Sequence, residues 1–144
     1  MANSELVIRP FVETDSADVI ALWEQAGLTR PWNDAARDIA RKMAVDPELF
    51  LVGCADGRLV ASAMGGYDGH RGWVNYLAVD ASCRGRGFAR QIMDHLEEML
   101  LARGCPKLNL QVRAGNQAAL AFYEAAGYAQ DDVVSLGNRL IADE

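Results

Sequence analysis

The sequence predicts a single α/β domain of mixed α+β character, built on a mostly antiparallel sheet of six to seven strands with helices on both faces. Three observations lead there. The chain has 144 residues, the size of one ordinary domain, so residues 1–144 are expected to form one unit. Its composition, 51% apolar and 24% charged, is that of a globular protein with a real core. Segments of two-residue apolar period alternate with segments of helical period. The former are hairpin-linked early and separated by helices later, which calls for antiparallel strands first and crossovers after them.

Taken in order, Leu6 to Arg9 reads as a short strand. Asp15-x-x-Asp18 resembles a capping box, and Val19, Leu22, Trp23 and Ala26 then fall at i, i+3, i+4 and i+7 on one helical stripe. Gly27 ends that helix. A second helix is expected after Asn33 as N-cap, with Ala36, Ile39, Ala40 and Met43 as its apolar face. Leu49 to Ala55 and Leu59 to Tyr67 flank Asp56-Gly57, a two-residue hairpin signal. Trp73 to Val79 is apolar on both faces and therefore central, with Val74, Tyr76 and Ala78 expected on one side. A long helix follows, with Phe88, Ile92, Leu96 and Met99 on its buried side, until Gly104 and Pro106 stop it. Lys107 to Val112 is the next strand, and Asn116 caps a short helix ending at Gly127. Val133 to Leu140 supplies a last strand, with a further short one near Tyr128 to Asp131.

A formal net charge of -6 argues against nucleic acid as the main partner, because phosphate binding needs a basic face. Cys54, Cys83 and Cys105 are odd in number and widely spaced, and with two histidines they suggest reduced thiols and no metal site. The first residues show no basic segment followed by an apolar run, and no stretch approaches the ~20 apolar residues of a membrane span. A cytoplasmic protein with no membrane partner is the expectation.

The chemistry is concentrated at Arg84-Gly85-Arg86-Gly87-Phe88-Ala89, between a strand and a helix start. The first amides of a helix have no intrahelical acceptor, and the helix dipole adds partial positive charge. Two glycines let a diphosphate approach without meeting a Cβ, and two arginines add charged donors. This supports an anion site and does not name the anion. Arg90 stands where a dinucleotide GxGxxG would place its last glycine, and a Walker GKS or GKT is absent. A structural turn with two exposed arginines is the plain alternative.

Context favours one reading. Arg84-Gly85-Arg86-Gly87-Phe88-Ala89 resembles the R-x-x-G-x-G/A signature of the GNAT N-acetyltransferase superfamily. Asn116-x-x-Ala119-x-x-Phe122-Tyr123-x-x-x-Gly127-Tyr128 is similar to that family's second segment. Arg30 to Asp34 and Gly65 to Gly72 also resemble a YpeA-type bacterial subgroup, from which no acceptor follows.

The resemblance implies a GNAT-like domain that takes acetyl-CoA as co-substrate and passes the acetyl group directly to an amine, either of a small molecule or of a protein or peptide. It implies that Arg84, Gly85, Arg86, Gly87, Phe88 and Ala89 hold the pyrophosphate. Leu77, Ala78 and Val79, splayed from the next strand, would pair with the pantetheine arm, with the Val79 amide polarising the thioester carbonyl. Asn116, an N-cap by its position, would add a hydrogen bond to the cofactor. Tyr123 would both line the cofactor site and protonate the departing thiolate, although by periodicity alone it reads as a core tyrosine. A glutamate common in the family at the start of the preceding strand is replaced by Trp73, which leaves the general base open among Asp68, His70, Tyr76 and water. Trp32, Asp68, His70 and Tyr76 are the candidate acceptor contacts. A non-catalytic acyl-CoA sensor and transfer of another acyl group are the rival readings. The Val133 to Leu140 segment would allow pairing into a homodimer at a sheet edge.

Overall fold

The computed structural model of the chain describes residues 5–143. Five strands form one sheet in the order β1-β2-β3-β4-β5. They are β1 (Val7–Pro10), β2 (Phe50–Ala55), β3 (Arg58–Tyr67), β4 (Gly72–Val79) and β5 (Leu108–Asn109). The first four pair antiparallel, and β5 runs parallel to β4. Helices α1 (Ser16–Gln25) and α2 (Ala35–Met43) precede β2, while α3 (Phe88–Ala102) and α4 (Gln117–Ala125) flank β5.

Two apolar layers sandwich the sheet. On one face α3 lays Phe88, Ile92, Met93, Leu96 and Leu100 against Leu49, Leu51, Val60 and Val74. Helix and sheet come so close that a Cβ on Gly65 would sit 2.4 Å from Leu96 Cδ1, so only glycine fits there. On the other face α1 and α2 set Val19, Leu22, Trp23 and Ile39 against Phe50, Val52 and Met64. Phe11 stacks on Phe50 at 4.4 Å between ring centroids, and Trp23 stacks on Tyr76 at 3.8 Å. The Asp56-Gly57 hairpin is present, both residues having positive φ (54° and 74°) as a type I′ turn requires.

Several local expectations are corrected. Asp15 does not cap α1. Its carboxylate is buried and accepts two hydrogen bonds from Arg9 (2.7 and 2.9 Å) and one from the Val12 amide (2.9 Å). These partners hold it below the usual carboxylate range, and tie β1 to the turn ahead of α1. The N-cap of α2 is Asp34, which accepts from the Arg37 amide at 3.0 Å, and not Asn33. Ile39 is the buried residue of that helix and joins the layer of Phe50 and Met64, whereas Ala36 and Ala40 are exposed.

The larger corrections concern the chain after α3. The predicted Lys107 to Val112 strand pairs only at Leu108 and Asn109, and among the described residues no strand forms at 128–131 or 133–140. The sheet therefore has five strands, not six to seven. The apolar alternation of Val133 to Leu140 is real, but the segment finds no backbone ladder. Side chains tie it to the rest of the chain, Gln111 with Ser135 and Arg139 with Asn33, and the residues flanking it are held likewise, Lys107 with Asp131 and Arg41 with Asp143.

Candidate functional site

The loop between β4 and α3 has the form that its glycines suggest. Gly85 (φ 81°) and Gly87 (φ 78°) both take left-handed conformations, and a Cβ on Gly85 would meet nothing. Gly87 is the N-cap of α3 and offers no side-chain cap. The first backbone bond into the helix is from Gln91 N–H to the Gly87 carbonyl at 3.0 Å. The N–H groups of Gly85, Gly87, Phe88 and Ala89 find no backbone acceptor among the described residues. They lie at the positive end of a 15-residue helix, an arrangement able to hold an anion.

The two arginines divide the work. The Arg86 guanidinium lies over the Phe88 ring (4.6 Å to the centroid), 3.9 Å from Cys83 Sγ and 4.0 Å from the Asp56 carboxylate. It fastens the loop to the β2–β3 hairpin. Arg84 is exposed and makes no ion pair or hydrogen bond through its side chain among the described residues, so it is the cation available to a phosphate. Phe88 is buried beneath the loop, and Ala89 is half-buried.

Strand β4 leads into this loop with a free outer edge. It pairs with β5 only at Gly72 and Trp73, so from Val74 onward its backbone pairs with no strand on that side among the described residues. Which groups face the gap follows from the alternation of an extended strand. Gly72 N–H donates toward β5, to the Lys107 carbonyl at 2.8 Å. Asp80 N–H donates the opposite way, to Val60 of β3 at 2.7 Å, so Val79 and Leu77 turn their amides outward and Ala78 turns inward. Going from Gly72 to Leu77 changes parity, which requires one extra residue.

That residue is Tyr76. The register with β3 shifts between Ser62 and Met64, placing Tyr76 and Leu77 opposite Ala63, and Tyr76 has φ 54°. A bulge of this type usually takes glycine, and a bulky side chain there costs about 1–2 kcal/mol. The bulge also switches faces. Val74 packs beneath α3, whereas Tyr76 and Ala78 pack with α1 and α2, so the single face expected for Val74, Tyr76 and Ala78 is corrected.

Beyond the gap stand the segment around β5 and helix α4. Asn116 caps α4, its side chain accepting from the Ala119 amide at 3.1 Å, which leaves the side-chain NH2 for a ligand. Tyr123 is half-buried between Phe122 (5.1 Å) and Tyr128 (5.6 Å) in edge-on contacts. Its hydroxyl has no hydrogen-bond partner among the described residues, and burial pushes its pKa up to about 12. Tyr128, by contrast, donates to Glu97 at 2.5 Å. A cavity of about 1240 Å³ reaches from Asn75 past Asn109 and Asn116 to Tyr123 and Ser135. It does not include Leu77 to Val79 or the loop before α3.

The four candidate acceptor residues are not brought together. Asp68 caps the β3–β4 turn, accepting from the amides of Arg71 (2.7 Å) and His70 (2.8 Å), which hold its carboxyl below the usual range. His70 is exposed on that turn. The hydroxyl of Tyr67 ties the turn to Gly104 at the C-terminal end of α3, the end of the sheet opposite the anion loop. Trp32 is half-exposed and lies 5.8 Å beneath the Arg113 guanidinium, at the other end of the β5 segment. Tyr76 donates to Asp38 of α2 at 2.6 Å, and burial first, then that carboxylate, raises its pKa far above the ordinary range. Asp38 and Ser62 were not legible as site residues. One reads as a solvated helix charge, the other as a small polar residue within an apolar strand.

The residues 16–128 match the profile of the Acetyltransferase (GNAT) family. The chain is 53% identical over 137 residues to acetyltransferase YE1169 of Yersinia enterocolitica, covering 95% of this chain and 97% of that one. It is 52% identical over 138 residues to acetyltransferase SG1711 of Sodalis glossinidius, with the same coverage of 95% and 97%. In three dimensions it resembles the ribosomal-protein-S18-alanine N-acetyltransferase from Escherichia coli (TM-score 0.72, 26% identity, 85% of this chain and 77% of that one). A putative acetyltransferase from Agrobacterium tumefaciens shares the fold (TM-score 0.76, 21% identity, 92% and 99% covered). With the profile spanning most of the domain and relatives above half identity along nearly its full length, this chain belongs to the GNAT family of acetyltransferases.

Proposed function

We propose that this acetyltransferase moves the acetyl group of acetyl-CoA to an amine by direct attack, with both substrates bound at once. The observation that carries the reading is that the amides of Gly85, Gly87, Phe88 and Ala89 have no backbone acceptor among the described residues, opening α3 directly after a strand whose outer edge pairs with β5 only at Gly72 and Trp73. A diphosphate satisfies the first, and the amide-bearing pantetheine arm satisfies the second as an added strand would.

Acetyl-CoA brings an activated acyl group on a sulfur leaving group. The loop amides and Arg84 bind its pyrophosphate, and Arg86 keeps the loop in place. The outward N–H groups of Leu77 and Val79 orient the arm, and one of them polarises the thioester carbonyl, a role worth ~3 kcal/mol of barrier. Asn116 adds its side-chain NH2. Tyr123 holds a proton that burial keeps in place at neutral pH and delivers it to the departing thiolate. The S18-alanine enzyme acetylates nitrogen, as its name says, and an amine acceptor is proposed here by analogy. It would enter beside Trp32 and the Tyr76–Asp38 pair, on the α1–α2 side of the gap. The three free cysteines suit a reducing cytoplasm, and the apolar segment 133–141 suits pairing with a second copy.

Thiol release from acetyl-CoA across a panel of small amines and peptides tests the proposal. Turnover with one acceptor class supports it. Tight acetyl-CoA binding with no release above hydrolysis would leave a sensor instead, and no binding in a titration calorimeter would remove the cofactor assignment.

A further inference from the structure

The bulge in β4 does more than interrupt a ladder. It decides which amides face the gap, and the protein holds it with a buried polar contact that needs an explanation. Ser62 lies on β3 in the middle of the sheet, is fully buried, and sits between apolar neighbours Ala61 and Ala63. Its hydroxyl donates to the Tyr76 carbonyl at 2.7 Å and accepts from Trp23 Nε1 at 2.9 Å. Trp23 is itself fully buried and stacks on the Tyr76 ring at 3.8 Å, only 12° from parallel. One hydroxyl and one indole therefore hold both the carbonyl and the ring of the residue with left-handed backbone.

A purely structural role would be met more simply by alanine at position 62, which would fill the strand without burying a hydroxyl. The bond is instead aimed at the carbonyl of the one residue whose conformation sets the parity of β4. If Tyr76 relaxed to an extended conformation, the strand would resume plain alternation. Ala78 would then turn its N–H to the gap, and Leu77 and Val79 would turn theirs into the ladder with β3.

We propose that Ser62, backed by Trp23, is a positioning residue for acetyl transfer: its hydrogen bond to the Tyr76 carbonyl holds the bulge that points the Leu77 and Val79 amides into the cofactor gap. The inference rests on the functional reading above, since it gives those amides their purpose. It adds a determinant that lies on the opposite side of β4 from the gap and touches no substrate.

The test compares Ser62→Ala and Trp23→Phe with the wild type. Trp23→Phe removes the indole that backs Ser62 but leaves the hydroxyl on the carbonyl, so it lowers Tm and loses less in kcat/KM for acetyl-CoA than Ser62→Ala does. Ser62→Ala releases the carbonyl and loses about 10- to 100-fold in kcat/KM, the scale of a misplacement near 1 Å. In the absence of ligand, Ser62→Ala also moves the amide nitrogen and proton resonances of Leu77 and Val79, while Phe11→Leu, a core change beside Phe50 at the β1–β2 side of the sheet, leaves them in place. Should Ser62→Ala fail to fold, Ser62→Cys keeps the volume with a weaker donor and shows the same two changes at smaller size. A folded Ser62→Ala protein with wild-type kinetics and unmoved Leu77 and Val79 resonances overturns the inference and leaves the functional reading standing. A wild type that binds no acetyl-CoA overturns both.

Discussion

Tyr123 shows how one side chain carries a structural and a chemical role together. Its ring packs between Phe122 and Tyr128 and against the apolar layer beneath α3, while its hydroxyl has no hydrogen-bond partner among the described residues. Tyr123→Phe keeps the packing and removes the proton. We expect kcat to fall by about 10- to 100-fold or more with acetyl-CoA affinity within twofold, measured by steady-state thiol release and calorimetry. The pKa near 12 fixes the pH window. Burial raises it above the ~10 of a free phenol, so the neutral form, and the stability tied to it, persists below pH 10 and is lost as pH rises through 12. The wild-type to Tyr123→Phe rate ratio should hold constant from pH 7 to about pH 10; a ratio that collapses near pH 8 would assign the proton to another group. Arg84 and Arg86 form a second pair of contrasts. Arg84→Ala should weaken CoA by about 1–3 kcal/mol without moving Tm, because its side chain meets no protein group among those described. Arg86→Ala should lower Tm through loss of its Phe88 and Asp56 contacts, and weaken CoA only as the loop loosens. Equal loss of affinity with unchanged Tm in both would mean that Arg86 turns to the phosphate on binding.

Among the elements, the legible ones were those whose signal is local. The α3 start could be read because two glycines and a following apolar stripe sit within a dozen residues, and the hairpin because Asp56-Gly57 demands positive φ. Tyr76 could not, because nothing in Trp73 to Val79 announces that an aromatic residue occupies a glycine-like conformation. The clamp that allows it comes from Ser62 and Trp23, 14 and 53 positions away in the chain. The 133–140 segment was misread for the converse reason: its alternation suits a strand, but a strand also needs a neighbour, and the β5 ladder ends at Asn109. What holds its far end is ionic. Asp143 accepts from Arg41 (2.6 Å) and from the Asp34 amide (2.9 Å), and these partners, Arg41 first, bring its pKa down to about 2. A depressed carboxyl pKa stabilises the docked tail above the ordinary value near 3.8 and ceases to do so as pH falls through 2. Asp143→Asn should accordingly lower the backbone 15N heteronuclear NOE of 136–142 at pH 7, and the wild type should match it only below about pH 2–3. Identical NOE values in the two proteins at neutral pH would show that the clasp does not hold the tail.

For the whole molecule, burial is uneven. Among the described residues none after Cys105 is buried, although this stretch contains Leu108, Leu110, Leu120 and Phe122. Val133, Val134, Leu136, Leu140 and Ile141 are between 65% and 92% exposed, within nine positions of one another. An exposed apolar run of that kind is what a surface that docks a partner presents. A second copy is the partner that the chain itself supplies, since each copy offers both an extended apolar segment and a β5 edge with free backbone groups. The magnitudes favour reciprocal exchange over one-sided docking. Five side chains at about 1.5–3 kcal/mol each give roughly 8–15 kcal/mol, comparable to an association cost of about 4–15 kcal/mol. Two tails related by a two-fold axis double the gain against the same cost. Sedimentation equilibrium at micromolar concentration should therefore report a dimer, and Leu136→Asp combined with Val134→Asp should report a folded monomer. Because Val133 and Ser135 also line the cavity that contains Tyr123, the monomer should lose acetyl transfer along with its partner. A wild type that stays monomeric to 100 µM, or a monomeric variant with full activity, would show that this face is closed by something other than a second copy or need not be closed for turnover.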